Sequence, residues 1–236
     1  MVVTIHQPEH LPWLGLLDKI NQADCWIVLD DVQYRRHYFQ NRNKARTATG
    51  FTWLTVPVKS ECGITLIKDV EVNNSGHWRH KCRETIRHAY GRAPFFKTYA
   101  PFLESIYDRS WRNLADLNLE IIRFLLRSFG IEKQVLRSSQ FGRTERASDL
   151  LLALARESGA SVYLSGVSGR EYLAVEKFAE AGIEVRFQDF HHPIYRQLYE
   201  PFLPCMSAVD LLFNHGPQSA DILFGETSVR LEEVFL

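Results

Sequence analysis

At 236 residues the chain is long enough to bury one full hydrophobic core, so neither disulfides nor a structural metal is needed to hold it together. Lys plus Arg equals Asp plus Glu at 28 each, which leaves no net field to hold a polyanion or an anionic membrane surface and argues against nucleic acid as a partner. The longest apolar run, Leu150 to Ala155, is far short of the roughly 20 residues that span a bilayer, so no membrane insertion is expected. Four scattered cysteines, Cys25, Cys62, Cys82 and Cys205, with no Cys-x-x-Cys pair and no signal segment ahead of them, point to a reducing, cytoplasmic setting.

Val2 to Ile5 is β-branched and apolar and reads as a strand, followed by a loop, His6 to Pro12, that its two prolines keep from being a regular helix. From Trp13 to Ile20 the apolar residues keep helical spacing, with Pro12 suited to a first turn. Cys25 to Leu29 is a short continuous apolar run, as in a strand covered on both faces, and it ends in Asp30-Asp31. Strand, helix and strand together suggest a βαβ unit. The polar stretch Gln33 to Arg46 reads as functional surface, Phe51 to Val58 and Leu66 to Val72 as strands that continue the sheet, and 77–130 as a helical block. Further on, Val135-Leu136 suggests a strand, Ala147 to Glu157 a helix, Val162 to Leu164 a strand entering Ser165-Gly166-Val167-Ser168-Gly169, Glu171 to Ala181 a helix and Glu184 to Phe190 a strand, before a proline-rich tail. The expectation is one α/β domain over 1–236, with a Rossmann-like mixed or parallel sheet, flanking helices and a central helical block.

Several clusters could carry chemistry. His6-Gln7-Pro8-Glu9-His10 lies between a strand and a helix, a place where α/β sheets bind ligands; its imidazoles and amide suit phosphate binding or acid–base work near neutral pH. Asp30 and Asp31, at the exit of the next strand, could orient His6 or accept a proton; adjacent residues of a strand face opposite ways, so one of the two should enter the site. Gln33 and Tyr34 follow them directly. Asn41-Arg42-Asn43, with Arg35, Arg36 and Lys44 nearby, offers a guanidinium fork for phosphate and amides for a sugar or base edge. Ser165 and Gly166 could cradle an anion, although the spacing lacks the lysine of a phosphate-binding loop. The adjacent His191-His192 does not make a standard zinc pair, no metal is expected, and Cys25 reads as core packing.

His6-Gln7-Pro8, Pro12-Trp13-x-Gly15, Lys19-Ile20, Leu29-Asp30-Asp31-Val32-Gln33-Tyr34, Asn41-Arg42-Asn43, Trp53 to Pro57, Tyr163 to Gly166, Pro193-x-Tyr195-x-Gln197 and the run from Ser207 through Asp210 to Gly216 follow one another in an order that resembles the WbqC-like protein family nearly end to end. The resemblance implies work in bacterial O-antigen and other surface-polysaccharide pathways, where nucleotide-linked amino sugars are made and decorated. The opening strand, His loop and helix also look distantly like the start of nucleotidylyltransferases, with His-Gln-Pro-Glu-His in place of their His-x-x-His.

The leading expectation is a transferase that places an acyl or aminoacyl group on the amine of a nucleotide-linked amino sugar, the donor an acyl thioester on coenzyme A or an acyl-carrier protein. His6 with Asp30 or Asp31 would supply the base, and backbone N–H groups the oxyanion donors. Gln7, His10, Trp13, Gln33, Tyr34, Asn41, Arg42, Asn43, Ser165, Gly166, Tyr195 and Gln197 would contact substrate. The alternatives are a nucleotidyl-transfer or adenylating enzyme using the same loop, and a noncatalytic binding protein of a glycan-assembly complex.

Overall fold

The structure, a computed structural model, describes residues 1–59 and 65–225; Cys62 lies outside them. The expected βαβ unit is present as β1 (Val2–His6), α1 (Leu14–Asn21) and β2 (Cys25–Val28), with β1 and β2 parallel and Val3 opposite Cys25. Three further strands, β5 (Gln134–Arg137), β6 (Val162–Ser165) and β7 (Glu184–Phe187), complete a five-stranded parallel sheet in the order β5-β2-β1-β6-β7.

The chain thus builds outward from β1 in one direction through β2 and in the other through β6. Their carboxyl ends open a crevice where the strand order reverses.

Strand alternation decides what each face carries. Val3, Ile5, Cys25 and Ile27 point to one side, where Leu150, Leu151, Leu154 and Ala155 of α5 (Ala147–Glu157) and Phe178 of α6 (Val175–Glu180) close a buried apolar cluster. Trp26 and Val28 point to the other, against Leu14, Leu17 and Ile20 of α1 and the helical block, which resolves into α2 (Trp78–Tyr90), α3 (Phe96–Asp108) and α4 (Leu114–Ser128). The apolar face of α4 read from its three- and four-residue spacing, Leu117, Ile121, Ile122 and Leu125, is fully buried.

Part of the expected layout is corrected. The sheet does not continue through Phe51 to Val58 and Leu66 to Val72. The polar stretch instead contains β3 (Arg42–Thr47), which pairs antiparallel with β4 (Gly50–Thr55) as a separate hairpin. Leu66 to Val72 turns as a single 3₁₀ turn at Ile67–Asp69 between isolated bridges, because its backbone bonds run to the start of α4: Leu114 N–H donates to Val70 O at 2.9 Å and Val72 N–H to Arg112 O at 2.8 Å. The helix expected over Glu171 to Ala181 is the shorter α6, preceded by a 3₁₀ turn at Val167–Glu171. The tail carries α7 (Ala208–His215) and α8 (Ser219–Phe224). No helix among the described residues is long and apolar enough to cross a membrane.

Candidate active site in the crevice between β1 and β6

Two adjoining cavities, about 260 Å³ and about 420 Å³, occupy the crevice and share His6, Glu9, Lys19, Tyr38, Gly166 and Ser168 as walls. The smaller is polar, adding Gln7, Arg35, Gln40 and Ser165. The larger adds Trp13, Leu16, Phe39, Val167 and Phe190, with Lys44 and Cys205.

Each wall residue has a local reason to be there. His6 ends β1, and the period of two turns it to the α1 side of the sheet. Gly15 and Lys19 lie one turn apart on α1, on the side opposite its core residues, so both reach the larger cavity. A Cβ on Gly15 would stand 2.4 Å from the Trp13 ring, so only glycine lets that indole fold over the first turn of the helix. The segment bearing Arg35, Tyr38 and Phe39 is tied back over the loop: His10 N–H donates to Phe39 O at 2.9 Å, Gln40 donates to the Gln7 side-chain oxygen, and Arg35 N–H donates to Gln40 Oε1 at 2.7 Å.

Three ionisable groups with displaced pKa values meet on the shared wall. Burial pushes the Glu9 carboxyl up to about 7 against the opposing pull of Lys19. Glu9 is only 6% exposed, and its Oε2 has no hydrogen-bond partner. Burial also brings Lys19 down to about 8, with Glu9 pulling the other way; the residue is 4% exposed and its ammonium makes no hydrogen bond or ion pair among the described residues. His6 is lowered to about 3, by desolvation first and by the charge of Lys19 second, so it is neutral at physiological pH. Its Nδ1 lies 3.0 Å from the Gln7 carbonyl and donates to it, which leaves the Nε2 lone pair free, 4.0 Å from Glu9 Oε1.

A carboxyl near neutrality, a neutral imidazole and an unpaired ammonium can take up a proton, accept a hydrogen bond and meet a developing negative charge. Glu9 and Lys19 stand inside motifs quoted from the sequence but were given no catalytic or binding role there. The available signals were a carboxylate inside the His loop and a lysine one turn after Gly15 on a short leucine-rich helix.

Of the residues expected to act on or contact substrate, the structure brings His6, Gln7, Trp13, Ser165 and Gly166 to the crevice, together with Arg35 and Lys44 of the basic stretch, and places the others elsewhere. His10 is fully buried between α3 and α4, its Nδ1 at 3.2 Å from Asn118 Oδ1 and its Nε2 at 3.2 Å from the Tyr107 hydroxyl, and burial lowers it to about 4. Asp30 accepts from Ser139 N–H at 3.0 Å and Ser139 Oγ at 3.1 Å and faces Arg137 at 3.2 Å, while the single Ser138 hydroxyl proton is shared between Asp30, at 3.2 Å, and the closer Asp31. Both carboxylates therefore fasten the end of β2 to the turn after β5 and line neither cavity.

Asn41 and Asn43 are buried, Asn41 donating to Val56 O at 3.0 Å and Asn43 accepting from Lys44 N–H at 2.8 Å; Arg42 lies on the outer hairpin face. Gln33 is exposed and bridges to Leu66, and burial pushes the Tyr34 phenol up to about 12. Tyr195 and Gln197 both donate at 2.8 Å to Asp210 Oδ2 on α7, in a separate buried cluster.

A family model described as WbqC-like protein family matches residues 7–222. Similarity also extends to Uncharacterized protein Rv1507c of Mycobacterium tuberculosis, 31% identical over an alignment of 229 residues, with 94% of this chain and 96% of that relative covered. No solved structure matches the chain.

Proposed function

Because the chain belongs to the WbqC-like protein family, we propose that it serves bacterial O-antigen or related surface-polysaccharide assembly, on the cytoplasmic side, as a transferase that moves an acyl or aminoacyl group onto the amine of a nucleotide-linked amino sugar. The observation that carries the enzymatic reading is the meeting of Glu9, Lys19 and neutral His6 on one wall of a crevice at the strand-order reversal.

In this reaction the amine nitrogen attacks the thioester carbonyl, a C–N bond forms, the C–S bond breaks, and the thiolate leaves. The nitrogen must shed a proton. A base works best when its pKa lies near the operating pH, so Glu9, at about 7, takes that proton, and His6, at about 3, does not. This moves the role of base from His6 and the aspartates to Glu9. His6 Nε2 instead accepts a hydrogen bond that orients the incoming amine, and the Lys19 ammonium faces the oxyanion of the tetrahedral intermediate.

The test is to incubate the purified chain with nucleotide-linked amino sugars and a panel of coenzyme A and carrier-protein thioesters while following free thiol. Thiol release that depends on one amino sugar is expected, and no thioester consumption across the panel overturns the proposal.

A further inference from the structure

The hairpin beside the crevice carries a row of aromatic rings and cations that the transfer chemistry does not use. Alternation along β3 turns Asn43 and Ala45 inward and Arg42 and Lys44 outward, and the register sets Lys44 opposite Trp53. Arg46 would continue the outward row, but it is buried and bonded to the carbonyls of Gly50, Tyr199 and Pro201. On the open part, Arg42 Cζ stands 4.3 Å from the Trp53 ring centroid, Lys44 Nζ 4.8 Å from that of Phe51, and Arg35 Cζ 4.7 Å from that of Tyr38. The rings form an unbroken series: Tyr38 to Phe39 at 5.1 Å, Phe39 to Trp53 at 6.4 Å and Trp53 to Phe51 at 5.9 Å between centroids. Tyr38, Trp53 and Phe51 are exposed.

None of Arg35, Arg42 and Lys44 has a carboxylate partner among the described residues, whereas surface cations elsewhere, such as Arg83, Arg143, Lys177 and Arg186, are bonded to acids. Arg42 Nε and the hydroxyl of Tyr34 are buried with no hydrogen-bond partner. Cations held over rings and left without counter-charge are built for an anion that itself carries a flat ring.

We infer that this face binds the nucleoside diphosphate portion of the substrate, the base stacked on Trp53 and the diphosphate between Arg42, Lys44 and Arg35. The inference rests on the acceptor being nucleotide-linked, as proposed above. Continuity with the crevice sets the direction: Tyr38, Phe39 and Lys44 line the larger cavity and Arg35 the smaller one, so a sugar attached to the diphosphate extends inward toward Glu9 and Lys19. A nucleoside diphosphate uses both the rings and the charges. A long single strand would need a field along its backbone, which a chain with equal numbers of acids and bases does not supply.

The experiment is calorimetric titration of the full chain with UDP, CDP, GDP, ADP and dTDP, with uridine and inorganic pyrophosphate as partial ligands. Wild type is expected to bind at least one diphosphate. Arg42→Gln combined with Lys44→Gln should weaken that binding about tenfold or more and flatten its salt dependence, and Trp53→Ala should also weaken the free nucleoside. All three side chains lie on the outer face of the hairpin, and circular dichroism checks that the variants fold. Undiminished affinity in the folded double variant overturns the hairpin site and leaves the nucleotide-linked reading standing. A wild type that binds none of the diphosphates overturns both. Affinity that climbs with the length of a single-stranded oligonucleotide, beyond that for any diphosphate, overturns the inference in favour of nucleic acid.

Discussion

Just beyond β2, Asp30 is fully buried and accepts hydrogen bonds from a backbone N–H and two serine hydroxyls, with the Arg137 guanidinium alongside. Just beyond the neighbouring β1, Glu9 is nearly as buried, yet one oxygen has no partner and the nearest imidazole nitrogen is 4.0 Å away. Both are carboxylates beyond the carboxyl ends of neighbouring strands of the same sheet. The first is completed by the protein and holds two segments together, and the second is left incomplete beside a cavity. Satisfaction of hydrogen-bonding capacity, more than burial or position, separates a structural acid from a candidate catalytic one.

The widest separation is expected from Glu9→Gln. If Glu9 is the base, thiol release falls by a factor of about 10² to 10⁴. Unfolding in urea at pH 8 should meanwhile show stability unchanged or raised, because burial penalises the Glu9 charge by more than Lys19 offsets. Activity retained within a few-fold would make Glu9 a bystander. Asp30→Ala should invert that pattern, costing about 3 kcal/mol by leaving the Ser139 N–H and hydroxyl without an acceptor and Ser138 and Arg137 with only Asp31 and Asp116. A loss below about 1 kcal/mol in the same urea titration would erase the contrast between the two acids.

The pH dependence of stability sharpens the comparison from the Glu9 side. A carboxyl raised to about 7 in the folded chain binds more protons there than in the unfolded chain between its model value of 4.5 and 7, so its contribution to stability falls as pH rises through that window. His6 and His10, lowered to about 3 and about 4, act in the opposite sense: their contributions rise with pH up to the ordinary histidine value of 6.5. Wild type alone therefore blurs the signal. The difference between wild type and Glu9→Gln isolates it, and the variant should gain on wild type by about 3 kcal/mol between pH 4.5 and pH 7. A difference that stays flat over that range would mean Glu9 titrates as an ordinary surface carboxyl.

What could be read in advance followed from apolar pattern. β1, β2 and β6 are short continuous apolar runs, α1 and the helical block keep a spacing of three and four, and all are present. β3 was hidden because its inward positions include the polar Asn43, so no apolar alternation marks it. The site was half legible. His6 and His10 share one loop and one chemistry, and what tells them apart are Tyr107 and Asn118, 97 and 108 residues further on, which enclose His10 and leave His6 at the crevice. Asp30 likewise depends on Ser138, 108 residues away. Local pattern places a polar group at the end of a strand, and distant packing decides whether it is satisfied there.

The smallest effect asks how the Asp30 charge is held. Arg137 reaches Asp30 at 3.2 Å and Asp116 at 2.6 Å, with a third of its side chain in solvent. Ion pairs that water can screen contribute little, whereas an N–H or hydroxyl donated to a buried carboxylate is retained at high salt. Arg137→Gln should therefore cost about 1 kcal/mol, well under the loss from Asp30→Ala, and added salt should narrow the gap to wild type. Urea titrations at low and high ionic strength measure both. A loss equal to that of Asp30→Ala would mean that the guanidinium, and not the serine turn, neutralises the buried acid; Asp30 would then resemble Glu9 beside Lys19 more closely than its hydrogen bonds indicate.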